Sequence, residues 1–221
     1  MILRHKTIND IISSHPGACV VLRRRKIDFY RIGHLAVWEA AARQHIDIDS
    51  LIRELSTLPF KPSFYPKDTE ALIRYIDERY RTHLRSLLRA SIRLARSIED
   101  QRADHDECPL GLKKRLIELN DVLARHQDKE RDHLYPAMLA DAAQGLRFPI
   151  LRAMAEHDDI SDQLDTIAYL TRDFVAPRNG GETWEVLYAN CSLLDAELRL
   201  HMHLENNLLY ARFLPGSAMA G

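Results

Sequence analysis

The chain has 221 residues, 46% of them hydrophobic and 29% charged, with a formal net charge of -1. This is the composition of a globular protein that can bury a core. The near-zero charge supplies no bulk field for nucleic acid or an anionic membrane, and no apolar run is long enough to span a bilayer.

Gly and Pro are scarce and clustered, and long alternating β-branched runs are absent, so the chain reads as all-α. Residues 1–57 read as a small helical N-terminal domain. Thr7-Ile8-Asn9-Asp10 opens one helix, Pro16-Gly17 interrupts, and Cys19-Val20-Val21-Leu22 begins another. A third runs from Leu35 through Ala42, and a fourth from Asp49 to Leu55 behind an Asp N-cap. The run Arg23-Arg24-Arg25-Lys26 reads as a solvated helix face. Pro59, Pro62 and Pro66 mark residues 58–67 as a linker.

Four long amphipathic segments follow, at roughly 68–100, 110–142, 146–174 and 182–213. The breaks between them are short: Asp104 to Pro109, Gln144-Gly145, and Pro177 to Gly181. Short breaks between long helices favour antiparallel neighbours, hence an up-down-up-down four-helix bundle over 68–215, with a tail at 216–221. The opening residues lack the apolar stretch of a secretion signal. Cys19, Cys108 and Cys191 are widely spaced and odd in number, without zinc-finger spacing or a disulfide framework. A reducing cytoplasm is the expected compartment.

One decapeptide pattern occurs twice: His126-x-x-x-Glu130-x-x-x-Leu134-Tyr135 and His201-x-x-x-Glu205-x-x-x-Leu209-Tyr210. A His and a Glu four apart share one face of a helix, one turn above the other, and can reach the same metal. In the second segment the apolar steps Leu112, Leu116, Leu119 and Leu123 continue onto His126, Glu130 and Leu134. In the fourth, Leu187, Cys191, Leu194 and Leu198 continue onto His201, Glu205 and Leu208. Both His-Glu pairs therefore fall on the buried stripe. A buried carboxylate without a partner costs several kcal/mol, so two of them call for a compensating cation.

The third segment has the stripe Ile150, Met154, His157, Ile160 and Leu164, which turns His157 inward; of the flanking Glu156 and Asp158, one is an outer partner or proton relay of the site, or both are exposed acids. In the first segment two stripes compete. One, through Ile73, Ile76, Tyr80, His83, Leu87 and Leu94, makes His83 a ligand. The other, through Leu84, Leu88 and Ile92, pushes His83 to the edge. Imidazole with carboxylate suits iron, manganese or zinc. So many protein ligands exceed what one four-coordinate structural zinc needs, and two carboxylates that can each bridge suit a non-haem pair of irons. Manganese is the harder ion to exclude.

These motifs resemble a known family over nearly the whole chain: the hemerythrin-like di-iron proteins for repair of iron centres, or iron-sulfur cluster repair proteins. The stretches that carry the resemblance are His126-Gln-Asp-Lys-Glu130 with Leu134-Tyr135-Pro136, Glu156-His157-Asp158, and His201-Met-His-Leu-Glu205-Asn206-Asn207. The N-terminal stretches Arg25-Lys26-Ile27-Asp28-Phe29 and Leu35 to Ala41 are similar to the small domain that precedes the bundle in that family.

The resemblance implies iron ligands at His126, Glu130, His157, His201 and Glu205. It also marks two departures. Where the family has Cys-Cys-Gly after an Asp-aromatic pair, this chain reads Asp28-Phe29-Tyr30-Arg31-Ile32-Gly33. On the first long helix a gap-free match puts Arg81 at the family's ligand position, two residues before His83. Either His83 substitutes through a local shift, or the centre lacks one imidazole and Arg81 pairs with Asp77. The implied function is a cytoplasmic non-haem di-iron protein of nitrosative or oxidative stress. It would bind nitric oxide or oxygen and support repair of damaged iron-sulfur clusters, with iron-sulfur proteins as partners. A sensor or storage module without repair activity is the alternative. Catalytic turnover and oligomeric state are left open by the sequence.

Overall fold

The computed structural model describes residues 3–62, 65–140 and 145–214. The tail at 216–221 and residues 63–64 of the linker lie outside the described residues. Regular structure among the described residues is helical throughout, apart from one antiparallel bridge between Thr7 and Ala36. Among the described residues, no helix is long and apolar enough to cross a membrane. Contacts divide the chain into two compact units. One comprises residues up to Leu72 together with those from Arg199 onward, and the other is Ile73–Leu198.

The first unit contains four short helices, α1 (Ile8–Ser14), α2 (Ala18–Arg24), α3 (Val37–Arg43) and α4 (Ile48–Ser56). Thr7 and Asp10 form the capping box that the Thr-Ile-Asn-Asp start announces: Asp10 N–H donates to Thr7 Oγ1, and Thr7 N–H to Asp10 Oδ2, both at 3.1 Å. α4 is also capped by an aspartate, Asp47, whose side chain accepts from the backbone of Asp49 and Ser50. Ile8, Ile11, Leu22, Val37, Leu51 and Leu55 are fully buried. Within the basic run, Arg24 and Arg25 both pair with Glu54 on α4, so that face is partly neutralised.

Four long helices follow: α5 (Thr69–Gln101), α6 (Leu112–Lys129), α8 (Arg147–Leu170) and α9 (Glu182–Leu204), with the short α7 (Tyr135–Leu139) between α6 and α8. Their directions alternate. Arg85 and Glu99 of α5 pair with Asp128 and Lys113 of α6, late with early, so these two helices run antiparallel. Arg79 near the start of α5 meets Glu197 near the end of α9. α6 packs along α8. This is the up-down-up-down helical bundle that the short breaks predict.

Three boundaries differ from the periodicity. The third long helix ends at Leu170 instead of 174, because Arg172, Asp173 and Phe174 all adopt left-handed φ values of 50°, 55° and 66°. The second and fourth segments are not uniform α-helices. Each is interrupted by one π-helical turn, at Glu130–Leu134 and at Glu205–Leu209. A π turn holds more residues than an α turn. That is why Leu209, four residues past Glu205, is fully buried, while Leu208, the residue the α spacing selects, is only half-buried.

A candidate metal centre

The buried stripe of α6 runs through Leu112, Leu116, Leu119 and Leu123 to His126, and Glu130 begins the π turn directly below. α8 adds His157, which is fully buried. His126 Nε2 lies 3.1 Å from Glu130 Oε1 and 2.9 Å from His157 Nε2. The donor atoms that His126, Glu130 and His157 offer all lie within 4.8 Å of one another.

Glu156 sets the orientation of His126. Its Oε2 is 3.0 Å from His126 Nδ1. An ionised carboxylate only accepts, so Nδ1 carries the proton and donates to it. That bond, with Lys129 Nζ at 2.5 Å from Glu156 Oε1, holds the Glu156 carboxyl down at about 2. The consequence falls on the other ring nitrogen. With its proton on Nδ1, neutral His126 turns an Nε2 lone pair toward the Glu130 carboxylate. The Nε2 lone pair and the Glu130 carboxylate, 3.1 Å apart and both 2% exposed, lie side by side as two metal-ligand atoms, with His157 Nε2 next to them. A carboxylate holding the far nitrogen of an imidazole is the usual outer support of a metal-binding histidine. The donor set therefore fits a bound divalent metal.

The second repeat of the motif builds the same local pair. His201 lies in the last turn of α9 and Glu205 opens the following π turn; His201 Nε2 lies 2.9 Å from Glu205 Oε1, with side chains 5% and 0% exposed. His203, between them in sequence, faces elsewhere. Its Nδ1 is 3.4 Å from the Phe29 carbonyl, and burial lowers its basicity to a pKa of about 4.

Asn206 and Asn207 donate to the Tyr30 carbonyl at 3.3 and 2.9 Å. The Asp28–Gly33 loop is thus clamped by the residues that follow Glu205. Gly33 lies so close that a Cβ there would meet Asn9 Oδ1 at 2.1 Å and Asn207 Oδ1 at 2.4 Å. Sequence reasoning assigned no role to His203, Asn206 or Asn207. Their signal was present only as the His-Leu-Glu-Asn-Asn string, whose partners lie more than 170 residues earlier.

His83 is not brought to the cluster. The buried stripe of α5 passes through Ile76, Tyr80, Leu84 and Leu88, in steps of four, and leaves His83 exposed. The inward placement of His83 assumed a step of three after Tyr80, and the structure corrects it. Arg81 is mostly shielded and pairs with Asp77 one turn earlier, Nη2 to Oδ1 at 2.5 Å. Of the other expected positions, Ile150, Ile160 and Leu164 are buried on α8 with His157.

The model of the hemerythrin family, described as the hemerythrin HHE cation binding domain, matches residues 82–213. The chain is 32% identical over 217 residues to the iron-sulfur cluster repair protein YtfE of Dickeya chrysanthemi, covering 96% of this chain and 98% of that one. It is 30% identical, with the same coverage, to the proteins of the same name from Yersinia pseudotuberculosis and Yersinia pestis. The chain belongs to the hemerythrin-like family of iron-sulfur cluster repair proteins.

Proposed function

We propose that this protein is a cytoplasmic non-haem iron protein that binds nitric oxide or oxygen and supports the repair of damaged iron-sulfur clusters in partner proteins. The observation that carries the reading is the convergence of His126, Glu130 and His157, with Glu156 fixing the His126 tautomer. His201 and Glu205, the second copy of the motif, are proposed as the ligands completing a centre of two irons. The shared name of these relatives, iron-sulfur cluster repair protein, supports repair over a sensing or storage role. The division into a module at 1–57, a linker at 58–67 and a bundle at 68–215 belongs to the same proposal.

Bound iron would supply an open coordination position and one-electron chemistry for a diatomic ligand. The residues of the chain do the rest. Glu130 and Glu205 bring the negative charge that holds a cation in an apolar interior. Glu156 keeps the Nε2 lone pair of His126 available. Leu116, Leu119, Leu123 and Leu134 keep bulk water from the ligand face of α6. α5 presents no imidazole, since Arg81 is held by Asp77 and His83 faces solvent. The proposed set is therefore five protein ligands, which leaves a more open centre than six.

Anaerobic reconstitution with ferrous iron tests this. The expected result is two irons per chain with the absorption of a bridged iron pair after oxidation, and loss of both in Glu130→Ala and Glu205→Ala. Protein that takes up no iron, or takes it up without the absorption of a bridged pair, would refute it.

A further inference from the structure

Between α6 with its π turn and α8 lies an open cavity of about 570 Å³ that reaches His126 and Glu130. A diatomic gas needs about the space of one water molecule, roughly 30 Å³. The cavity is instead in the range of pockets that take small organic molecules, roughly 300–1,000 Å³. Its walls are mainly apolar, formed by Leu134, Ala137, Leu146, Pro149 and Ala153. Phe148 lines it while 80% exposed, an unusual position for a large aromatic ring unless something covers it.

The polar lining is unevenly charged. Lys129 and Arg152 both lean on one carboxylate, Glu156, at 2.5 and 3.6 Å. Glu156 also accepts from His126, so one positive charge is left over on the rim. Among the described residues, the other carboxylate in the lining is Glu130, the proposed iron ligand. In this one respect the inference rests on the iron reading: with a cation on Glu130, the floor is no longer negative.

We propose that this cavity binds an amphipathic organic anion, a carboxylate with an apolar tail, beside the metal centre. The tail lies along Leu134, Ala137 and Leu146 under Phe148. The carboxylate pairs with Arg152 and Lys129 at the rim. Such a ligand covers the solvent side of the His126-Glu130 pair and leaves the metal's own ligands in place.

Octanoate is the probe, with octylammonium and octanol as controls, titrated calorimetrically into the iron-loaded protein and into the metal-free protein. The expected result is one octanoate per chain, bound about tenfold more tightly than either control. Arg152→Gln, a change at an exposed side chain, should weaken octanoate two- to fivefold, the range of one exposed charge pair. Ala153→Phe, which fills the cavity, should abolish binding without lowering the iron content. Octanoate binding no better than octylammonium, or binding untouched by both substitutions, overturns the assignment. Iron content measured on the same samples separates the two readings. Protein that carries iron but ignores octanoate refutes the cavity ligand. Protein that takes up no iron, yet binds octanoate with the same dependence on Arg152, refutes the iron centre and keeps the cavity ligand.

Discussion

His126 donates its Nδ1 proton to Glu156 across the α6–α8 contact, at 3.0 Å, and so leaves Nε2 as the face that meets Glu130 and His157. Replacing Glu156 by Gln keeps the shape but removes the acceptor-only group that dictates the tautomer. Outer partners of this kind typically contribute 10- to 100-fold to metal affinity. Glu156→Gln is expected to weaken iron binding by roughly that factor, measured by competition with a chelator of known affinity. Unchanged affinity would show that the tautomer is set otherwise.

The α5 position opens a complementary test. His83 is exposed, so His83→Ala should leave iron content and absorption as they are. Arg81 is shielded and tied to Asp77, and the resemblance to the family places a ligand there. Arg81→His is expected to tighten iron binding and shift the absorption of the oxidised centre. Loss of iron in His83→Ala would restore that residue to the ligand set.

Acid sensitivity should carry a signature of His203. Its folded pKa is about 4, against 6.5 for an ordinary histidine, because burial disfavours the charged ring. The unfolded chain takes up this proton first as pH falls. The stability difference is therefore absent above about pH 6.5 and grows as pH falls to about 4, to about 3 kcal/mol at most. In metal-free protein, wild type should lose more stability over this window than His203→Gln, followed by denaturant unfolding at successive pH values. Parallel curves would contradict the burial argument.

Gly33 tests the clamp on the Asp28–Gly33 loop. A methyl group there meets Asn9 and Asn207 well inside van der Waals contact, and Asn207 is already committed to the Tyr30 carbonyl. Gly33→Ala should cost about 1–3 kcal/mol, the range for overpacking. Asn207→Ala, which makes room but releases the loop, should recover part of that loss in the double variant. Additive losses measured by chemical denaturation would show that the two residues do not share the contact.

The helical class, the four long segments and the buried setting of both His-x-x-x-Glu pairs were legible in the sequence, because apolar residues at steps of three and four determine which face of a helix avoids water. His157 was legible for the same reason. The π turns were not. The backbone N–H of Tyr135 donates to the carbonyl of Glu130, and that of Tyr210 to Glu205, five residues back in each case. No local preference in Glu-x-x-x-Leu-Tyr requires that pairing. It forms where packing holds the carboxylate and the downstream Leu and Tyr inward together. The choice between the two stripes of α5 also lay with tertiary packing, since Leu84 and His83 are adjacent and periodicity alone supports either. Burial of Leu84 and Leu88 wins because apolar side chains gain by leaving water, while an imidazole outside the cluster gains nothing by following them. The chain itself determined which residues are able to hold a metal; the packing of α5, α6 and α8 decided that His126, Glu130 and His157 converge and that His83 does not.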